Sequence, residues 1–267
     1  MHKLKTFINY FKDFIKFGEY RYIFSSIKYI LTGRTTSRTQ IYKSSLGTFI
    51  SRRGSLDFQF ANYAYEWPVK TFFLNHYRNY DIFLDIGSNI GTYAILAAQK
   101  GLRAIAFEPI KSNFDTLRIN LILNKLEDKV TAFNVALGVY AHKAQFAFDL
   151  INTGASHLLS VEMDDEHPSH MEIDESQIVP LDDFIPRMNL TKKDRIFLKI
   201  DVEGMEAEVL KGAKRFLQTY PNILIVMESV HSGKERLTNI LNEIDNFEVL
   251  EVDDLNMGAR KIIQKKT

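Results

Sequence analysis

Beyond residue 80, the apolar residues of the chain fall into short runs, and segments with helical periodicity separate these runs. Strands that are apolar at every position, rather than at every second one, are typical of a parallel sheet covered by helices on both faces. The pattern therefore predicts an α/β fold with a doubly wound sheet. The predicted strands are residues 81–86, 103–107, 130–135, 195–200, 222–227 and 247–253. The predicted helices are residues 92–99, 112–124, 206–218 and 234–244.

The middle of the chain has a different composition. No Lys or Arg occurs between Ala144 and Pro186, whereas ten carboxylates do. Residues 144–150 alternate in polarity and predict a strand, and we expect the acidic residues 151–178 to be mostly loop. A long loop within a compact domain is typically a lid or a substrate loop, so we expect this one to bind the substrate through Ser156 and His157.

The sequence predicts two parts. Residues 1–56 form a basic, aromatic arm with a linker or short edge strands, and residues 57–267 form the main domain. Within residues 3–31, apolar side chains recur at three- and four-residue spacings, which predicts an amphipathic helix. Residues 1–57 carry a net charge of +8, and the remainder of the chain carries −7. The apolar face of the helix consists of Leu4, Phe7, Ile8, Phe11, Phe14 and Ile15.

Such an apolar face needs a partner, because a contiguous apolar patch is rarely left in water. It can pack on its own domain, on a second copy of the chain, or on an anionic membrane. We expect a homo-oligomer formed through residues 1–31, in which the basic arm of one copy meets the acidic segment of another. Peripheral contact with an anionic membrane is the alternative.

Composition narrows the class of protein. No apolar run reaches the roughly 18 residues needed to span a bilayer, and lysines interrupt the stretch where a signal peptide would be apolar. The chain has no cysteine, so disulfides, thiolate metal ligands and cysteine nucleophiles are excluded. These features predict a cytoplasmic protein, with the inner membrane face as the alternative location.

The first predicted strand ends in a glycine-containing turn. In open α/β sheets, ligands bind beyond such carboxyl ends. A dinucleotide loop has the spacing G-x-G-x-x-G, but here Asn89 replaces the middle glycine. A carboxylate such as Asp85 instead suits an ammonium group, such as the one at the amino-acid end of S-adenosylmethionine. We therefore expect that cofactor to contact Asp85, Gly87, Ser88, Asn89 and Gly91.

The second and third strand ends complete the expected cofactor site. Glu108 follows the second strand, where a carboxylate can accept hydrogen bonds from both ribose hydroxyls. Asn134 and Ala136 follow the third strand. We expect the backbone there and the Asn134 amide to flank the adenine.

The fourth and fifth strand ends carry the candidate catalytic groups. An alcohol is a poor nucleophile, so methyl transfer to a hydroxyl needs a general base or a divalent metal. Asp201, Glu203 and His231 are the candidate bases. Asp201 and Glu228, on adjacent strand tips, form an oxygen pair of the kind that Mg²⁺ prefers. The residues themselves leave both mechanisms open.

Four motifs together carry a family resemblance. In order along the chain, DIGSNIG, AFEP, NVALG and LKIDVEGMEAEVLKG resemble the FkbM family of methyltransferases, over roughly Leu56 to Ser229. The resemblance implies a Rossmann-like methyltransferase sheet of the class I type and S-adenosylmethionine as methyl donor. It also implies O-methylation of a hydroxyl, often on a sugar or a natural product. The implied cofactor contacts are Asp85, Gly87, Asn89, Gly91 and Glu108.

We therefore expect an O-methyltransferase that acts on a carbohydrate or a nucleotide-linked carbohydrate, with no nucleic-acid partner. A base methyltransferase typically has an Asn/Asp-Pro-Pro-aromatic loop after the fourth strand, where this chain has Asp201-Val202-Glu203-Gly204. Three further hypotheses stay open. The chain could methylate nucleic acid despite this loop, it could methylate a different small molecule, or it could be a non-catalytic protein that binds a membrane or polymer with this fold.

Overall fold

Thirteen strands and nine complete α-helices make up the part of the chain that the computed structural model describes, residues 11–32, 37–154, 157–158 and 171–262. The strands are β1 (Gln40–Ser44), β2 (Gly47–Ser51), β3 (Ile82–Ile86), β4 (Arg103–Phe107), β5 (Val130–Phe133), β6 (Ala136–Leu137), β7 (His142–Asp149), β8 (His157–Leu158), β9 (Met171–Val179), β10 (Ile196–Ile200), β11 (Ile223–Glu228), β12 (Phe247–Glu251) and β13 (Asn256–Lys261). The helices are α1 (Tyr20–Thr32), α2 (Asp57–Phe60), α3 (Trp67–His76), α4 (Thr92–Gln99), α5 (Lys111–Asn124), α6 (Leu181–Phe184), α7 (Glu206–Gly212), α8 (Lys214–Thr219) and α9 (Lys234–Ile244).

Seven of these strands form the central sheet, in the order β12-β13-β11-β10-β3-β4-β5. The five strands from β11 to β5 are parallel, and β13 is antiparallel to both of its neighbours. The chain winds outward in both directions from β3 and β10, so the topological switch point lies between these two strands. The predicted doubly wound, Rossmann-like α/β fold is confirmed.

Alternate residues of the parallel strands face two different hydrophobic cores. Phe83 and Phe197 belong to the core on one face of the sheet, and Leu84 and Leu198 to the core on the other. Because helices cover both faces, each strand is apolar at every position, which is the pattern that predicted the sheet.

Two details at the C-terminal side differ from the prediction. The helix predicted over residues 206–218 is two helices, α7 and α8, because the backbone at Ala213 leaves the helical region. Strand β13, which lies between β11 and β12, was missed because its sequence NMGARK has neither an apolar run nor a clear alternation.

The prediction that residues 151–178 are mostly loop was wrong for their C-terminal part. Strand β9 pairs with β7 along eight residues of an antiparallel ladder, within a small sheet of order β6-β9-β7-β8. The sequence pattern does not reveal this strand, because only Ser176 and Ile178 on it are buried and acidic residues lie on both of its faces. Ser156 lies outside the described residues, as do residues 155 and 159–170.

The N-terminal arm packs on its own domain in the part that is described. Residues 11–16 are helical, and α1 follows after a break at Gly18, whose φ is +72°. The Phe14 side chain is only 2% exposed, and the Tyr22 ring stacks on Phe58 with 6.1 Å between ring centroids. Residues 3–10, including Leu4, Phe7 and Ile8, lie outside the described residues. No helix within the described ranges is long and apolar enough to cross a bilayer.

The hairpin of β1 and β2 joins this arm to the sheet domain. Two asparagines of α5 bind its backbone: Asn120 Oδ1 accepts a hydrogen bond from the Ile50 N–H at 2.8 Å, and Asn124 Oδ1 one from the Thr48 N–H at 2.9 Å. Phe49 of β2 is fully buried in the main core. The predicted domain boundary at residue 56 stays a prediction.

A buried ion pair follows the hairpin. Asp57 is fully buried, and its carboxylate accepts hydrogen bonds from Arg52 Nε and Nη2, both at 2.8 Å. It also accepts one from Thr153 Oγ1 at 2.9 Å, although Thr153 lies 96 residues further along the chain. Asp57 therefore ties the hairpin to the beginning of the acidic segment.

We expect Asp57→Ala to lower the free energy of unfolding by about 3–5 kcal/mol, because it leaves the Arg52 charge without its buried partner. The matched control is Asp81→Ala, which removes a similar two-bond pair with Arg195 whose side chains are 44% and 46% exposed. The control should cost less than about 1 kcal/mol. Urea denaturation measures both values, and equal losses would contradict the structural role of Asp57.

Candidate functional site

A solvent-open cavity of about 1040 Å³ lies at the carboxyl ends of the parallel strands. This is the place where open α/β sheets bind ligands, because the chain leaves neighbouring strands in opposite directions there. The lining combines apolar and charged side chains. It consists of Phe60, Tyr65, Glu66, Ile86, Gly87, Ser88, Asn89, Thr92, Tyr93, Phe107, Glu108, Pro109, Asn113, Val135, Ala136, Leu137, Phe146, Thr153, Gly154, Lys199, Asp201, Val202, Glu203, Met205 and Glu228.

The turn after β3 forms the floor of the cavity at the switch point. Gly87 has φ of +80°, and a Cβ atom there would lie 1.7 Å from the Asp201 carbonyl oxygen. Only glycine therefore lets the turn after β3 approach the loop after β10 so closely. Gly91 does not line the cavity; it is the N-cap residue immediately before helix α4 and has φ of +88°.

Asp85 does not line the cavity. Its carboxylate is fully buried and accepts a hydrogen bond from the Ala94 N–H at 2.9 Å, so it satisfies a free donor in the first turn of α4. Burial raises the pKa of Asp85 to about 6, against the lowering effect of Lys199. Direct contact of Asp85 with a ligand stays a prediction, and its visible role is to hold the helix N-terminus beside the turn.

Glu108 is buried against the glycine turn and lines the cavity. One carboxylate oxygen accepts a hydrogen bond from the Asn89 N–H at 2.8 Å, and the other from the Ile110 N–H at 3.0 Å. Burial raises the pKa of Glu108 to about 7, and these backbone hydrogen bonds limit the rise. The carboxylate is held in one orientation and has lone pairs left for a ligand.

The third strand end is placed partly as predicted. Ala136 lines the cavity together with Val135 and Leu137. Asn134 does not, because its amide donates to the carbonyl oxygens of Glu108 and Pro109 at 2.8 and 2.9 Å. A contact of the Asn134 side chain with a ligand stays a prediction, and the amide fixes the chain after Glu108.

A charged cluster that the sequence analysis missed lies beside the fourth strand end. Lys199 donates to Asp201 Oδ2 at 2.7 Å, and its Nζ lies 4.6 Å from the centre of the Tyr93 ring. Lys70 Nζ lies 4.9 Å from the same ring, and the Tyr93 hydroxyl donates to Glu66 Oε2 at 2.9 Å. Burial lowers the pKa of Lys70 to about 8, and it raises that of Glu66. Burial also lowers the pKa of Lys199, but neighbouring carboxylates, Asp201 first, raise it above its usual range.

Glu203, Glu228 and His231 meet at the other side of Asp201. Glu203 Oε2 lies 3.7 Å from His231 Nε2. Burial, reinforced by the charge of Asp201, raises the pKa of Glu203 to about 8 and that of Glu228 to about 7. One oxygen of Glu228 is buried and has no hydrogen-bond partner among the described residues. His231 does not line the cavity, but it contacts a residue that does.

The pairing predicted for a metal differs from the group that the structure brings together. Among the described residues, the set whose ligand atoms lie within 4.8 Å of one another is Glu203, Glu228 and His231. Asp201 is not a member of this set, since its carboxylate pairs with Lys199. Metal binding stays a prediction.

Glu206 holds this loop in place and was also missed. It is fully buried, and Oε1 accepts a hydrogen bond from the Gly204 N–H at 3.1 Å. Oε2 accepts one from the Ser232 hydroxyl, which joins the loop after β10 to the loop after β11. The buried carboxylate thus fixes the segments that carry Glu203 and His231.

Backbone strain is concentrated around the cavity. Five described non-glycine residues have positive φ, and three of them, Glu66, Asn89 and Glu203, line the cavity with φ between 47° and 50°. Such conformations cost about 1–3 kcal/mol each and tend to occur at functional sites. The strain indicates that the surrounding structure holds these three side chains in set positions.

The beginning of the acidic segment reaches the cavity, and the predicted substrate residue His157 follows it along the chain. His157 begins the short strand β8 and pairs with Ala147 of β7. Just before it, Thr153 and Gly154 line the cavity. The beginning of the acidic segment thus borders the site, and the roles of Ser156 and His157 stay predictions.

A family model described as the methyltransferase FkbM domain matches residues 85–256. This range begins at Asp85 and includes every strand end that lines the cavity. The chain belongs to the FkbM methyltransferase family.

Individual relatives match over different shares of the chain. A hexuronic acid methyltransferase, AglP, from Haloferax volcanii is 32% identical over 167 residues, which are 61% of this chain and 62% of that protein. The crystal structure of a methyltransferase FkbM from Methylobacillus flagellatus matches with 20% identity and a TM-score of 0.47, over 68% of this chain and 44% of that chain. A magnesium protoporphyrin IX methyltransferase from Synechocystis, crystallised with bound S-adenosylmethionine, matches with 8% identity and a TM-score of 0.44, over 74% and 79% of the two chains. This chain thus spans less than two thirds of the curated relative.

In this FkbM-family protein we expect Gly87→Ala to be much more destabilising than Gly101→Ala. Both glycines have positive φ, but a Cβ at Gly101 meets no atom within 4 Å. Gly101→Ala should therefore lower the free energy of unfolding only by the cost of placing a non-glycine residue at positive φ, about 1–2 kcal/mol. Gly87→Ala should cost about 1–3 kcal/mol more, because the Asp201 carbonyl must move. Thermal unfolding of both variants measures the difference, and similar losses would refute the close contact.

Proposed function

We propose that the protein is an S-adenosylmethionine-dependent methyltransferase that transfers a methyl group to a hydroxyl of a carbohydrate. The observation that carries the proposal is the charge of the cavity. Among the described residues that line it, five are carboxylates, Glu66, Glu108, Asp201, Glu203 and Glu228, and one, Lys199, is a cation. Such a site favours a positively charged ligand, which lowers the cost of keeping these carboxylates ionised.

S-adenosylmethionine fits this set of donors and acceptors. Its sulfur and its amino group are positively charged, as the carboxylate-rich wall requires. Its ribose diol offers two donors to the oriented carboxylate of Glu108. Its adenine is flat and largely apolar, which suits Pro109, Val135 and Leu137. Asn89 Oδ1, which is buried beside Glu108 and has no partner among the described residues, can accept a further hydrogen bond.

The chemistry divides between the cofactor and the protein. When bound, S-adenosylmethionine supplies a methyl group on a positively charged sulfur, which is a good leaving group. The protein must then orient the acceptor hydroxyl, exclude water and take its proton as the new O–C bond forms. We assign the proton to Glu203, which lines the cavity and has His231 within 3.7 Å to receive the proton in turn. Asp201 and Lys199 form an ion pair that positions the loop after β10, and the Lys199 cation balances part of the negative charge there.

Carbohydrate as acceptor class rests on the similarity to AglP, which is named as a hexuronic acid methyltransferase. A sugar hydroxyl is uncharged, so it can approach the acidic wall without repulsion. Transfer to a different small molecule would change the acceptor and leave the roles of Glu108 and Glu203 the same.

We expect Glu108→Ala to weaken S-adenosylmethionine binding by about 1.5–3 kcal/mol, roughly 10- to 150-fold, because a charge-assisted hydrogen bond is lost. Isothermal titration calorimetry gives the dissociation constants. Glu127→Ala, which removes an exposed carboxylate outside the cavity, is the control and should bind as the wild type does. Wild-type protein that binds NAD but neither S-adenosylmethionine nor S-adenosylhomocysteine would end the proposal.

We also expect kcat/KM, which reports groups of the free enzyme, to rise with pH and to level off above about 8, the pKa to which burial raises Glu203. The base must be ionised, so below that value the rate should fall about tenfold for each pH unit. Glu203→Gln should remove this dependence and lower the plateau by roughly 10²-fold or more. Steady-state assays from about pH 6 to about 9.5 test this, with cofactor affinity measured in parallel.

Two outcomes of that experiment would point elsewhere. A pH dependence that persists in Glu203→Gln would transfer the role of base to Glu228 or Asp201, and Glu228→Gln would distinguish them. Activity that is lost in a chelator and restored by Mg²⁺ would favour a metal held by Glu203, Glu228 and His231 over a direct base.

A further inference from the structure

The exposed face of α1 is unusually apolar for a surface helix. Phe24 is 78% exposed, Tyr20 59% and Ile27 38%. Their spacings of four and three residues place them on one side of the helix, which we call the docking face. Tyr22 and Tyr29 lie on the opposite side and, with the flanking Ile23, pack on the core of the same chain. Because α1 already has its intramolecular contacts, the docking face is available for a second partner.

The exposed charges of the segment that carries the docking face are of one sign. Between residues 11 and 55, every charged side chain that the structure describes as exposed is basic: Lys12, Lys16, Lys28, Arg38, Lys43 and Arg53. The two acidic residues of this range point elsewhere, since Glu19 is buried and Asp13 is half-buried. Lys43 lies close to the helix, because it lines the same surface cleft as Tyr20. The surroundings therefore complement an anionic surface.

We propose that the docking face binds the surface of an anionic lipid bilayer, with α1 lying parallel to the membrane. Large aromatic and aliphatic side chains on a segment whose exposed charges are basic suit an interfacial helix: the apolar side chains enter the boundary of the acyl chains, and the cations meet the headgroups. The helix does not cross the bilayer, in keeping with its length and composition.

This mode of binding would orient the catalytic cavity. The segment 58–67 contacts the arm, through stacking of Phe58 on Tyr22 and an edge contact of Tyr63 with Phe17 at 5.0 Å between ring centroids. The same segment lines the cavity through Phe60, Tyr65 and Glu66. A bilayer-bound arm would therefore hold the cavity at a fixed position relative to the membrane. Binding to lipid can be measured without turnover, so its test does not depend on the proposed reaction.

The test is sedimentation of the full-length protein with vesicles of phosphatidylcholine alone and with vesicles in which about a third of the lipid is phosphatidylglycerol. We expect binding to the anionic vesicles, little binding to the neutral ones, and release in about 1 M salt, where the Debye length is about 3 Å. Phe24→Asp should lower the partition coefficient by roughly tenfold or more, because it removes a buried aromatic ring from the lipid boundary. Lys12→Glu combined with Lys43→Glu should also lower the partition coefficient, because it reverses two of the positive charges. This double variant leaves the apolar residues in place.

The matched control is Ile173→Asp. Ile173 is also an exposed apolar residue, at 53%, but it lies on β9 next to the acidic Glu172 and Asp174. Its variant should bind vesicles as the wild type does, and melting temperatures should show that all variants are folded. Equal binding to neutral and anionic vesicles, or undiminished binding by both arm variants, would overturn the proposal. So would a lipid-free dimer that Phe24→Asp converts to a monomer, since the docking face would then be an interface between copies of the chain.

Discussion

The contact between the turn after β3 and the loop after β10 is the constraint on which the site depends. Asp201 donates its N–H to the Ile86 carbonyl at 3.0 Å, and Gly87 leaves room for the Asp201 carbonyl where any side chain would collide. This contact closes the floor of the switch-point crevice. It brings Asn89 and Glu108 on one side into the same cavity as Asp201 and Glu203 on the other. The parallel sheet places the strand ends side by side. The missing side chain at Gly87 then allows the turn after β3 and the loop after β10 to come into contact.

Charge compensation is the second organising feature, and it is incomplete in the protein alone. Lys199 is shared among Asp201, Glu66 and Asp85, but the pKa values of Asp85, Glu108 and Glu203 stay raised because burial is not matched by enough positive charge. A cation entering the cavity would lower those pKa values and release protons to the solvent. The protein alone thus has more buried carboxylates than cations at this site, and a positively charged ligand would balance them.

Much of this arrangement could be predicted from the sequence, and the exceptions have physical reasons. The turn at Gly87 and the position of Glu108 follow from strand ends and spacing, which are local properties of the chain. Glu66, Lys70 and Tyr93 could not be found in that way, because they enter the site from α3, α4 and the preceding turn, and no local motif marks a side chain that becomes buried only when distant elements pack. Asp85 shows the converse: its place in a motif predicts a ligand contact, but the motif does not reveal the hydrogen bond by which its carboxylate holds a helix end. In β9, acidic residues occur on both strand faces, at exposed and half-buried positions, so the sequence concealed a regular ladder.

The chain contains a single tryptophan, and its location makes it informative. Trp67 begins α3 next to the cavity-lining Glu66, and the Lys16 ammonium group lies 3.8 Å from the centre of its ring, with Phe17 nearby at 5.9 Å. The indole therefore sits where the arm meets the segment that borders the cavity. Its fluorescence is an intrinsic optical reporter of that junction, because a cation over the ring affects its emission and departure of the arm would expose the ring to water. Spectroscopy on the unlabelled protein can thus follow the arm and the site separately from any change in the sheet.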